Sequence, residues 1–151
     1  MKRYTIIFAS IILGFACFAI SGCGNSKGSM ENAANNLLEA ANELTTKSLS
    51  FENASDPKDL TPFINEFKSK AQSLNSSSFP DDFKTAFNVF VEATIAHHEA
   101  VVAQKNGADT QQRMEAYGKR MELGRVSMQK MQDFCAACRK HELNVPLAQL
   151  F

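Results

Sequence analysis

The chain has no surplus of charge of either sign. Sixteen Lys and Arg stand against 16 Asp and Glu, a net of zero with His neutral. Without a basic stripe it lacks the electrostatic footprint that nucleic acid requires, so nucleic acid is not an expected partner. No segment alternates apolar and polar residues as a half-buried strand does, which argues against a sheet. Proline is scarce: the four, at 57, 62, 80 and 146, fall between apolar stretches rather than inside them. There is no supported Ser/His/Asp arrangement, no phosphate loop and no carboxylate pair distinguished from surface charge, so nothing points to an enzyme. Long apolar runs are also absent, with one exception at the start of the chain.

That exception runs from Tyr4 to Ile20, behind the basic pair Lys2-Arg3. It is long enough to span a bilayer, so a transmembrane anchor is one reading. The other is a cleaved leader. Small residues lie at its end and a polar, Gly/Ser/Asn-rich stretch follows, which favours cleavage. The run Ala19-Ile20-Ser21-Gly22-Cys23 resembles the lipobox of bacterial lipoproteins: an aliphatic residue, two small residues, then a cysteine. The resemblance implies that Cys23 is acylated and becomes the mature N-terminus. It implies a leader over 1–22, a lipidated linker over 23–29 and a helical body over 30–151. It also implies a site outside the cytoplasm, held to the cell membrane or outer membrane by lipid. In enterobacterial lipoproteins Asp after the cysteine tends to mean inner-membrane retention; Gly24 stands there instead, which leans towards the outer membrane. Each buried methylene of an acyl chain contributes about 0.8 kcal/mol, and two or more chains make the attachment stable.

Cleavage before Cys23 leaves about 129 residues, enough for one domain with its own core. Four helical stretches fill it. In the first, Met30, Ala34, Leu37, Ala41, Leu44, Ser48 and Phe51 recur at steps of three and four. The second begins at Asp56-Pro57 or Thr61-Pro62, each a cap followed by proline at the first helical position. Its face is Leu60, Phe63, Ile64, Phe67, Ala71 and Leu74. The third follows Phe79-Pro80, with Asp81 and Asp82 where negative charge suits the helix dipole. Its seam is Phe83, Phe87, Phe90, Thr94, His97 and Val101, with His98 at the edge, and Asn106-Gly107 stops it. The fourth starts at Asp109 or Thr110 and reaches about Leu143. Its seam is Met114, Tyr117, Met121, Gly124, Met128, Met131, Cys135 and Cys138. These spacings and short connections predict an all-α fold, an antiparallel up-down-up-down four-helix bundle. A three-helix arrangement with a loosely packed first segment is the alternative.

The sharpest chemistry in the body is Cys135-Ala136-Ala137-Cys138-Arg139-Lys140-His141. Cys17 leaves with a leader and Cys23 takes lipid, so these are the two remaining thiols. A CxxC inside the last helix of an extracytoplasmic bundle resembles the haem site of the cytochrome c′ family. That resemblance implies haem thioethers at Cys135 and Cys138 and electron transfer or gas binding. The family places its iron ligand directly after the second cysteine, where this chain has Arg139. His141 lies three residues beyond Cys138, raised about 4.5 Å along the helix axis. Related bundles hold haem without thioethers between Met and His, for which Met30 and His141 are candidates. A second reading is a disulfide, since thiols outside the cytoplasm tend to oxidise. Positions i and i+3 put the Cα atoms about 5–6 Å apart, within bridging range, and the closed loop is too small to contribute much. A third is a metal site in which Cys135, Cys138 and His141 bind Zn²⁺ or Cu⁺, with His97 and His98 as distant additions. A thioredoxin-like role needs the motif at a helix N-terminus, and this one is near a C-terminus. The expected function is a non-enzymatic, lipid-anchored binding or interaction module of the cell envelope, with no confident cofactor. Its partner is the membrane through lipid, together with an unidentified envelope protein or small ligand. The alternative is a cytochrome c′-like haem protein.

Overall fold

The computed structural model describes residues 26–53, 59–75 and 77–145. The expected leader over 1–22, Cys17 and Cys23 lie outside them. The described residues form four helices and no strand: α1 (Ser26–Asn53), α2 (Thr61–Leu74), α3 (Asp81–Lys105) and α4 (Thr110–Lys140).

α1 buries the expected Met30, Ala34, Leu37, Leu44, Ser48 and Phe51, and adds Ala33, Leu38 and Ala40. Its small residues let neighbouring backbones approach. It begins at Ser26, so Ser26–Ser29 of the expected linker form its first turn. α2 starts at the second of the two sequence options. The Asp59 carboxylate accepts from the Thr61 backbone N–H at 2.9 Å and its hydroxyl at 2.7 Å. Pro62 then occupies the first turn, where its missing N–H costs nothing. α4 begins with the Asp109 carboxylate accepting from Gln112 N–H at 2.8 Å, while the Gln112 side chain accepts from Ala108 N–H at 3.0 Å. This reciprocal pair resembles a capping box, displaced by one residue.

Contacts set the up-down-up-down order. α2 runs against α1, with Lys47 over the Phe63 ring and Glu43 paired with Lys70, and contacts at both ends orient α1, α3 and α4. At one end Lys27 of α1 pairs with Glu142, just beyond α4, at 3.5 Å, and Lys140 pairs with Asp82 of α3 at 2.6 Å. At the other, Arg120 of α4 pairs with Glu52 of α1 at 2.6 Å. There the Lys105 ammonium donates to the Glu52 carbonyl at 3.0 Å. α3 is the central helix, packing on the other three, and α4 packs chiefly on α3. The core is phenylalanine-rich. Phe134 of α4 stacks on Phe90 at 5.5 Å and meets Phe83 at 5.6 Å and Phe87 at 5.9 Å.

Three expectations change. On α3 the buried histidine is His98, not His97. Counted from Thr94, the i+3 position His97 and the i+4 position His98 fall on either side of the inward line, about 60° and about 40° from it, and the closer one is buried. On α4 only the C-terminal part of the expected seam is buried. Cys135 and Cys138 are in the core, joined by Phe134, which the seam omitted. Met114, Tyr117, Met121 and Met128 are 71%, 49%, 57% and 59% exposed. Finally, Gly107 does not adopt a left-handed conformation. It is required by crowding instead: a Cβ there would stand 2.7 Å from Arg113 Cγ.

Candidate functional site

The last turn of α4 gathers most of the candidate residues. Cys138 belongs to the helix cap as well as to the core. Its carbonyl accepts from Leu143 N–H at 3.0 Å, and the Arg139 carbonyl accepts from Glu142 N–H at 3.0 Å. These two bonds form a Schellman cap, with Glu142 at φ 53° as its left-handed residue. Leu143 packs back on the core.

Both cysteines are free, buried thiols in this structure. Burial and the neighbouring Cys135 push the Cys138 thiol up to about 12, and burial also raises Cys135. Thiolate is the nucleophilic and metal-binding form, so these groups are poor nucleophiles at neutral pH while the core is closed.

His141 turns to α3. Its Nε2 lies 3.1 Å and 3.2 Å from the two Asp82 oxygens, and its ring meets Phe83 edge-on at 5.9 Å. The Lys140 ammonium donates to Asp82 at 2.6 Å. Lys140, with smaller help from His141 and the Phe83 backbone N–H, holds the Asp82 carboxyl at about 2 despite some desolvation. Sequence reasoning placed Asp82 in the first turn of α3 but missed that it binds the end of α4. Only the fold brings residues so distant in sequence together.

These residues do not fit a haem. Both cysteines are buried, Cys138 in the same core cluster as Phe134, and the Nε2 of His141 is engaged by Asp82. Met30 shares this end of the bundle through the Lys27–Glu142 contact, but its side chain is a buried part of the core. Nor do Cys135, Cys138 and His141 assemble a metal site: among the described residues no three of His, Cys, Asp and Glu converge to hold an ion.

A second polar cluster lies at the opposite end. His98 Nδ1 is 2.8 Å from the Thr94 carbonyl, so in the neutral ring Nδ1 is the donor. His97 meets it edge-on at 5.1 Å, and the His97 Nδ1 atom is buried without a hydrogen-bond partner. Burial lowers the affinity of both rings for protons. Beside them Arg120 binds Glu52 and donates to Gln104 at 2.9 Å. A shallow groove of about 460 Å³ runs along α3 and α4, lined by Asp82, Ala86, Val89, Lys130 and Asp133 among others.

No family model matches the chain, and no curated protein or solved structure is detectably similar to it. Among the described residues no helix is long and apolar enough to cross a membrane.

Proposed function

We propose that this chain is a lipid-anchored helical module of the cell envelope that works by binding, not by catalysis. The observation that carries the reading is Ala19-Ile20-Ser21-Gly22-Cys23, placed after a basic start and a single apolar run. Loss of Lys2 and Arg3 with the leader leaves 14 basic and 16 acidic residues, a net of about −2. Attraction to anionic lipid is therefore not the main tether, and the acyl chains carry the attachment. α1 begins at Ser26, three residues after Cys23. Lipid at Cys23 would hold the α1 start, and with it the Asp82–Lys140–His141 corner, nearest the membrane. The His97–His98 end would face away from it.

The reading of the body as a binding module rests on its chemistry. The thiols are buried and protonated, the histidines are packed against neighbours, and most of the ionic contacts tie one helix to another. Metabolic labelling with an alkynyl fatty acid tests the anchor. Label is expected in the membrane fraction and lost in Cys23→Ala. An unlabelled chain that keeps residues 1–22 in the membrane would replace this reading with a transmembrane anchor.

A further inference from the structure

Among the described residues, four of the five exposed large hydrophobics, Met114, Tyr117, Met121 and Met128, lie on the exposed half of the α4 seam. Met114, Met121 and Met128 are seven residues apart, and a heptad drifts only about 20° on a straight helix. The three therefore form one nearly straight row about 21 Å long, with Tyr117 at its side. All four side chains are about half exposed or more. Methionine rows of this kind are adaptable packing surfaces for another helix.

Gly118 lies on the same face, one turn from both Met114 and Met121. A Cβ at Gly118 would meet nothing within 4 Å. An exposed glycine in mid-helix costs about 1 kcal/mol relative to alanine, and no contact within this chain accounts for it. Close approach by a second backbone would.

We infer that this face is a homodimer contact, in which α4 of one copy packs antiparallel on α4 of a second copy about a two-fold axis at Met121. The pattern is self-complementary in that arrangement, as a two-fold contact requires. Met121 meets its own equivalent, and Met114 meets Met128 of the second copy. Arg125, exposed and without an ion pair among the described residues, comes within about 3 Å along the axis of Glu115 of the second copy. The symmetry makes this charge pair twice. Arg125 also lies over Gly118 of the second copy, where the missing side chain leaves room.

One helix face is small beside the roughly 800 Å² per partner of a standard interface. The contact is accordingly weak between free chains and gains from confinement of both copies to one membrane, which raises their effective concentration. The inference rests on the interaction-module reading and names its partner; the lipid strengthens the contact without creating it.

The test is disulfide crosslinking of the full chain in membranes of the producing cell, with fatty-acid labelling followed on the same sample. Met121→Cys is expected to give a crosslinked dimer above the wild-type background. Lys119→Cys, exposed on the opposite side of α4, is expected to give none. Adding Arg125→Glu to Met121→Cys should reduce the dimer severalfold, and further adding Glu115→Arg should restore it. Circular dichroism checks that each variant keeps its helix content. Crosslinking without fatty-acid label would keep the dimer and remove the lipid anchor. Labelled Met121→Cys without a dimer band would overturn the inference and leave the anchor intact. An equal Lys119→Cys band would also overturn it. So would Met121→Cys that neither crosslinks nor reacts with a water-soluble maleimide in membranes, a result that would assign the row to lipid.

Discussion

The His97 imidazole of α3 lies against Gly124 of α4, so closely that a Cβ at Gly124 would stand 3.1 Å from His97 Cε1 and 3.2 Å from Nδ1. α3 and α4 meet at this point through a missing side chain. Gly118, six residues earlier on α4, is open. The two glycines therefore predict opposite outcomes. Gly124→Val should destabilise the fold by about 1–3 kcal/mol, because the ring has to move. Gly118→Ala, measured in dilute solution where the chain is monomeric, should stabilise it by about 1 kcal/mol through helix propensity. Urea unfolding followed by circular dichroism checks both. A neutral Gly124→Val would mean that His97 does not pack there.

The two histidines predict a pH dependence. Burial lowers both below the ordinary histidine value in the folded state. The unfolded chain therefore takes up protons first as pH falls. Stability is complete above the unfolded value of about 6.5 and declines as pH drops below it towards the folded values. The urea midpoint should fall between about pH 7.5 and about pH 5, and the His97→Gln/His98→Gln variant should show a flatter profile. Asp82 acts in a separate window. Its carboxyl is lowered from 3.8 to about 2, so its contribution is present above 3.8 and lost only as pH falls through the lower value.

Glu142 is the sole non-glycine residue at positive φ among the described residues. A left-handed conformation costs an L-residue roughly 1–2 kcal/mol, and glycine avoids most of that. Its contact with Lys27 is exposed and long, so losing it matters little. Glu142→Gly should therefore raise the melting temperature, by an amount matching about 1 kcal/mol. An unchanged or lower melting temperature would show that the Schellman cap does not form in solution.

Cys135 and Cys138 should be protected from modification. Peptide mapping after brief exposure to a water-soluble maleimide should find both at least about tenfold slower in the folded chain than in urea. Equal rates would place the pair on an accessible surface and reopen the chemistry that burial closes here.

Much of this fold was legible in the sequence. Phe83, Phe87 and Phe90 marked the core face of α3. Pro80-Asp81 marked a helix start, and Thr61-Pro62 and Asp109 were each one of two starts on offer, because caps and prolines act locally; Thr61, read as a cap, is instead the first residue of α2. The exposed half of α4 was not legible. Methionines at steps of three and four reveal an apolar face, but not whether another helix of the same chain covers it. His97 and His98 stand at i+3 and i+4 from Thr94, both near the inward face, so spacing alone did not separate them. The Asp82–His141 contact depends on how α3 meets α4, which no local pattern encodes. The CxxC itself was plain in the sequence; its near-complete burial, which sets its chemistry, was not.

The central claim is that Cys23 is the lipid-bearing start of the mature protein. Intact-mass spectrometry of the chain extracted from membranes tests it most directly, because the N-terminal residue and the acyl mass are read together. The account predicts a chain that begins at Cys23, lacks residues 1–22 and carries added acyl mass on its first residue. A membrane-bound chain that begins at or near Met1 with no added acyl mass would contradict it.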